Sequence, residues 1–433
     1  MRRAIPVRWR VLFVLFVVSF VNYFLRNALS VAVPSIQGEF GYTNQEIGWI
    51  LNAFNISYTL MMIPGGIFGE RYGPRRALGG IAVAWGILTW FTGFAPGLMA
   101  ASASGAMISL IVVRLLVGAS NAPIFPITTG LIEGWFPPGR WALPNALTSS
   151  GLSLGQAALG PIVTALIVSY GWREAFYILA PTGIIAGVWW YWYARDKPAQ
   201  HRAMTPDELA FIDAGRTAKP PPQPVNWRAA LVNRDILILA ASYFCLNFVF
   251  YIFSQWLFTY LVKSRGLSML ESGWLYVLPF ATGAVLTAIG GGVCDSLCRR
   301  LGGLRGCRIT AMSGLVVVAI TLAAGLFATD PYVAVGLLSL CFGFTLFADT
   351  CYWAATTYAS GEHTASAGGM LNFGGTMPGL LAPLIGFMID RVGWVPTLAS
   401  GSVFALVGAG LWLFVRLEGA AGAHQPTGAG IAA

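Results

Sequence analysis

The chain has 433 residues, of which 56% are hydrophobic and only 10% charged, with a formal net charge of +9. Apolar runs of about 20 residues recur along it, each long enough to cross a hydrocarbon core of roughly 30 Å. Strands of a membrane barrel would instead alternate over about ten residues, so the composition implies helices in a lipid bilayer and excludes a soluble fold.

Twelve runs are expected to span: 11–35, 47–69, 77–95, 102–126, 142–168, 176–194, 236–262, 272–294, 309–328, 331–356, 366–389 and 395–416. The first follows Arg2, Arg3, Arg8 and Arg10 like the charged start of a signal peptide. It is too long for one and lacks a cleavage site, so it is expected to remain as the first span. The +9 charge does not imply nucleic acid. Of the 26 Lys and Arg residues, 20 fall in the N-terminus, alternate loops and C-terminus, four in the opposite loops and two inside spans. That asymmetry places both termini in the cytoplasm, which an even number of spans also requires.

Those two intramembrane arginines are Arg26 and Arg114. Arg26 interrupts an apolar helix, where a charge costs roughly 2.5–3.5 kcal/mol on insertion scales and therefore needs a partner, a wet cavity or a function. Its planar fork of donors matches a carboxylate or phosphate. Tyr23, three residues earlier, shares its helical face. Tyr58 in the second span is its expected neighbour. After that span comes Gly66-Ile67-Phe68-Gly69-Glu70-Arg71-Tyr72-Gly73-Pro74-Arg75-Arg76, a charge cluster at a helix end that could form in one conformation and break in another.

The longest polar interval, about 195–235, divides the spans six and six. Residues 1–195 are expected to form an N-terminal six-helix bundle and 236–418 a C-terminal one, with a disordered tail at 419–433. In the linker, 196–235, Thr205 is placed to cap a short amphipathic helix with Pro206 in its first position. The second half repeats the charge cluster about 225 residues on, as Gly291-Gly292-Val293-Cys294-Asp295 followed by Arg299-Arg300. Such repeats place a substrate site at their interface. Asp349 is the one intramembrane acid of the expected cavity, four residues before Trp353 and on the same face. It could pair with Arg26 or Arg114, carry a proton, or bind a cationic group on a substrate. Gln255, an amide in mid-helix, wants a partner.

Six cysteines give no metal framework: Cys245, Cys341 and Cys351 fall in spans, and Cys294, Cys298 and Cys307 sit at an expected cytoplasmic edge with no histidine nearby. They read as free thiols in a reducing compartment. No phosphate-binding loop, zinc spacing or serine elbow is present, so neither an enzyme nor a cofactor is expected.

The cluster from Gly66 to Arg76 resembles the signature loop of the major facilitator superfamily, with Glu70 where aspartate is commoner. More narrowly, the chain is similar to the anion:cation symporter family, which includes sugar-acid, sialic-acid and vesicular glutamate carriers. The matching stretches are Asn22-Tyr23 with Arg26, Tyr58 with Ile63-Pro64-Gly65, Arg114-Leu115-Leu116-Val117-Gly118, Trp135-Phe136-Pro137 with Arg140, and Gly171-Trp172-Arg173 with Phe176. In the second half they are Trp256 with Tyr260-Leu261, then Trp353, Asn372 and Pro383.

The resemblance implies an all-α membrane protein of twelve transmembrane helices in two pseudo-symmetric bundles. It implies alternating-access transport of small organic anions, such as sugar acids or monocarboxylates, with protons as a candidate coupling ion. The implied location is the inner membrane, as a monomer. Substrate contacts are expected from Arg26, Tyr23, Tyr58, Asn121, Gln255, Trp353 and Asn372, a charge network from Arg114 and Asp349, and a conformational gate from Gly66, Glu70, Arg71, Gly73, Arg75 and Asp295. Three departures bear on coupling: Leu25, Asn121 and Met62 stand where an aspartate, a glutamate and a glutamine are usual. The alternative reading is a facilitator or exporter of cationic, zwitterionic or drug-like solutes that uses Asp349. A non-transporting receptor on the same fold would have shed these polar cavity groups.

Overall fold

The computed structural model describes residues 5–98, 102–137, 142–214, 233–360 and 364–416, which are helical with short connections. Helix α1 (Val7–Phe40) is 34 residues long and ends at Gly41, whose φ of 69° permits the left-handed cap. A continuous helical run, Asn44–Leu98, is broken at Gly73 into α2 (44–72) and α3 (74–98). There the backbone turns through φ 76°, with the Asp196 carboxylate seated against it. Asp196 accepts from the Arg75 amide at 2.8 Å, which satisfies a donor at the start of α3.

Next come α4 (Ala103–Asn121), α5 (Ile124–Trp135), α6 (Ala142–Tyr170) and α7 (Trp172–Tyr193). The linker carries α8 (Pro206–Asp213), with Thr205 accepting from the Glu208 amide as its cap. The second half holds α9 (Arg234–Lys263), α10 (Met269–Leu275), α11 (Val277–Leu301), α12 (Gly303–Phe327), α13 (Pro331–Ser360), α14 (Thr364–Thr376), α15 (Ala382–Val392) and α16 (Trp394–Leu411).

Among the described residues, ten helical segments are long and apolar enough to cross a bilayer. With α2 and α7 they make the twelve spans expected from hydropathy. Two spans depart in detail. The fourth, expected as one run over 102–126, stops at Asn121 and resumes at Ile124, because Pro123 has no amide to continue the ladder. The eleventh is built from α14, a 3-10 turn at Met377–Leu381 and α15, with Pro378 and Pro383 at the joints.

The described residues form two compact units. One comprises the chain up to 214 with Ser254–Ala281 and Gly379–Trp394; the other comprises 233–253, Thr282–Pro378 and the chain from Val395. In the first unit, glycine lets helix backbones touch, the usual device where lipid removes the hydrophobic drive. A Cβ added at Gly151 of α6 would lie 2.7 Å from the Phe16 carbonyl oxygen of α1, and Gly155 faces the Phe20 carbonyl in the same way. Gly183 and Gly187 of α7 stand similarly against Gly86 and Gly79 of α3.

Two carboxylates tie helix ends within that unit. Glu39 receives both guanidinium nitrogens of Arg173 at 2.6 Å and the Trp172 indole N–H at 2.7 Å. Asp390 of α15 accepts from the Asn44 side chain (2.7 Å) and from the amides of Asn44 and Gln45 (3.2 and 2.9 Å), capping α2. The linker helix docks through Glu208, which accepts from the Val7 and Arg8 amides and the Arg8 guanidinium. Ile212 is buried, and the Phe211 ring lies 4.5 Å from Arg8, so this apolar face packs on protein.

Candidate functional site

Phe54, on α2, is the floor of the site in the first unit. The Arg26 guanidinium sits over its ring at 4.4 Å and that of Arg114 at 5.0 Å. Arg26 also faces the rings of Tyr58 (5.0 Å) and Tyr23 (5.2 Å), as the spacing of Tyr23 and Arg26 along α1 requires. Three aromatic faces around one guanidinium hold it by its quadrupole attraction without neutralising it. Gly118 of α4 makes this possible: a Cβ there would strike the Phe54 carbonyl and the Ser57 hydroxyl, so α4 can bring Arg114 onto Phe54 only because the side chain is absent.

Arg114 is 7% exposed and donates to the Arg26 carbonyl at 3.1 Å, while its Nε has no protein partner. Among the described residues neither arginine has a carboxylate partner; the two ion pairs are Arg8–Glu208 and Arg173–Glu39. The position that resembles a proton-carrying glutamate is Asn121, 1% exposed. Its oxygen accepts from Asn22 at 2.5 Å and its amide donates to the Val117 carbonyl at 2.8 Å. Both ends of that amide are therefore occupied, the oxygen joining α4 to α1 and the nitrogen bonded back within α4.

Behind the arginines lies a narrow cleft lined by Arg26, Trp85, Thr89, Thr92, Arg114 and Asn121. Its volume of about 10 Å³ suits one water and no substrate. Trp85, Thr89 and Thr92 had no signal in the sequence beyond their place in an apolar run. Gln255, on α9 in the same unit, keeps a buried side-chain oxygen without a hydrogen bond.

In the second unit Asp349 accepts from the Tyr243 hydroxyl at 2.8 Å and belongs to no ion pair among the described residues. Tyr243 also meets Trp353 edge to face at 6.4 Å. Trp353 is 45% exposed, against the fully buried Tyr352 beside it. Asn372 is half-buried on α14. Tyr243 thus joins the two residues that spacing had placed on one face, and it was not singled out in the sequence.

At the turn where a gate is expected, Arg75 donates to the Tyr191 carbonyl at 2.8 Å and covers the Tyr191 ring at 4.5 Å, while Arg71 lies over Tyr72. Gly66 and Glu70 lie on α2, and the Glu70 side chain is outside the described structure. Asp295 is exposed on α11. Asp196, the residue seated in the Gly73 turn, went unnoticed because it lies 121 positions away from Arg75.

Residues 15–383 match the Major Facilitator Superfamily. A probable sulfoacetate transporter of Cupriavidus necator is 30% identical over 425 residues, covering 96% of this chain and 95% of that one. A hexuronate transporter of Bacillus subtilis is 29% identical over 94% of this chain and 92% of its own, and a D-galactonate transporter of Escherichia coli is 28% identical over 93% and 94%. Among solved structures, a bacterial homologue of the human lysosomal transporter Spinster, inward-facing and unoccupied, superimposes with a TM-score of 0.78 at 17% identity. That match covers 95% of this chain and 97% of the other, and it supports the fold alone. The chain is therefore a multi-pass membrane protein of the major facilitator superfamily, with its twelve-helix fold, and a transporter, not an enzyme.

Proposed function

We propose that this chain carries small organic anions, carboxylates or sulfonates of sugar-acid size or smaller, by alternating access. One observation carries the reading: Arg26 and Arg114 share Phe54, with no carboxylate among the described residues to neutralise either. Uncompensated charge in a low-dielectric site is costly, and an arriving anion removes that cost. The relatives named for sulfoacetate, hexuronate and galactonate transport support the same class. Arg26, Tyr23, Tyr58, Gln255, Trp353 and Asn372 are proposed as substrate contacts, with Arg114 holding the site's field and Asn121 its frame. A thermal-shift screen of purified protein against carboxylates, sulfonates and organic cations tests this. Stabilisation by anions is expected, and stabilisation by cations alone would overturn it.

A second reading draws on Asp349, a carboxylate with Tyr243 and Trp353 beside it, which suits a cationic or zwitterionic group. The same screen separates the two. For coupling, Leu25 and Asn121 cannot titrate, which leaves Asp349 as the proposed proton carrier. We further place the protein in the inner membrane as a monomer with both termini cytoplasmic. Residues 1–195 and 236–418 act as the two rocking bundles, with Glu70, Arg71, Arg75 and Asp295 at the gate.

A further inference from the structure

Three cysteines that the sequence reads as free thiols converge in the second unit. Cys294 and Cys298 lie one turn apart on α11 and so share a face. The chain then turns at Gly302, where φ is 95°, and α12 begins. Gly306 lets α12 lie directly on the end of α11: a Cβ there would sit 2.6 Å from the Cys298 Cα. That contact delivers Cys307 to the other two. The sulfurs form a triangle with edges of 3.8 Å (Cys294–Cys298), 3.8 Å (Cys294–Cys307) and 3.6 Å (Cys298–Cys307).

We propose that Cys294, Cys298 and Cys307 bind one thiophilic divalent ion of the Zn²⁺ class. The dimensions fit. A tetrahedral Zn²⁺ with Zn–S of about 2.3 Å separates its sulfurs by about 3.8 Å, whereas a disulfide needs about 2.05 Å. So does the setting. Cys294 and Cys307 are 3% and 0% exposed, while the half-buried Cys298 leaves a way in. Three thiolates around a divalent ion carry one net negative charge, and Arg299, Arg300, Arg305 and Arg308 flank the cluster in the sequence against a single acid, Asp295.

On the proposed topology this end of the helices is cytoplasmic, where thiols stay reduced and grouped cysteines read as metal ligands more readily than as disulfides. The ion would pin α11 to α12 beside Asp295, Arg299 and Arg300, the second-half counterpart of the gate.

The test uses full-length protein with no polyhistidine tag, purified without chelator after growth with Zn²⁺. Elemental analysis should find one zinc per chain. Cys298→Ser and Cys307→Ser should lose it, and Cys341→Ser, buried elsewhere on α13, should keep it. Because a serine variant could misfold, wild-type protein is also stripped with chelator and probed with a maleimide: labelling of the cluster should rise, and added Zn²⁺ should suppress it. Co²⁺ in place of zinc should give thiolate-to-metal charge-transfer absorption. Metal-free wild type that shows neither Zn²⁺ protection nor the Co²⁺ band would overturn the site, as would a native disulfide between any two of the three.

Discussion

Replacing Arg26 by lysine keeps the charge and removes the fork, so it separates geometry from electrostatics. In the structure the guanidinium sits among the rings of Phe54, Tyr58 and Tyr23 at 4.4, 5.0 and 5.2 Å. A lysine ammonium is a point donor that cannot make two parallel bonds to one carboxylate. Loss of one charge-assisted bond costs about 1.5–3 kcal/mol. Taking about 2 kcal/mol, substrate affinity should fall about thirty-fold in Arg26→Lys. Arg26→Ala should fall further, since it also removes the attraction. The assay is substrate binding to purified protein by calorimetry, paired with uptake into liposomes, with thermal unfolding as the folding control. Wild-type affinity in Arg26→Lys would refute the bidentate contact. Wild-type uptake in Arg26→Ala would refute the anion site itself.

Asp349→Asn should abolish accumulation driven by a pH gradient while sparing substrate exchange, because the amide imitates the protonated acid and still accepts from Tyr243. Uphill uptake driven by pH in that variant would remove Asp349 as proton carrier. Asp390→Ala strips three hydrogen bonds from the start of α2. At an exposed site the cost should be about 1 kcal/mol, or about a five-fold shift away from the state that holds this contact. Spin labels on α2 and α15 would read the shift as a broadened distance distribution, and an unchanged distribution would mean that the contact does not set the equilibrium.

Hydropathy sufficed for the spans, because the bilayer demands length and apolarity of each helix separately. Spacing within one helix was equally legible: Tyr23 and Arg26 share a face, Asp349 and Trp353 another, and Thr205 caps α8. Contacts across the chain were not. Asp196 in the Gly73 turn, Asp390 on α2, Tyr243 on Asp349 and Glu39 on Arg173 join positions 106 to 346 residues apart. No local period encodes such a pairing. Phe54 illustrates the limit best. In sequence it is one apolar residue in an apolar run, and its role depends on Gly118 admitting a second helix. The convergence of Cys294, Cys298 and Cys307 was illegible for the same reason, since the approach of α12 to α11 is set by Gly306 and not by the interval between thiols.

Charge balance at Phe54 sharpens the expected substrate preference. Two guanidiniums with no acid paired to them among the described residues leave the site at two positive charges; a monoanion leaves one uncompensated and a dianion leaves none. At an effective dielectric of about 20 and a separation of about 5 Å, each added charge contact is worth about 3 kcal/mol before desolvation. Stripping water from the second anionic group offsets much of that. A net gain of about 1–1.5 kcal/mol remains, close to ten-fold in affinity. A short dicarboxylate should therefore bind about ten-fold more tightly than the monocarboxylate of equal length. Competition against a labelled substrate at fixed ionic strength measures it, and Arg114→Gln should erase the preference while leaving monoanion binding nearly intact. If the two ligands compete equally in wild type, Arg114 does not contribute its charge to the bound anion. Its bond to the Arg26 carbonyl would then be its whole role, as a brace between α4 and α1.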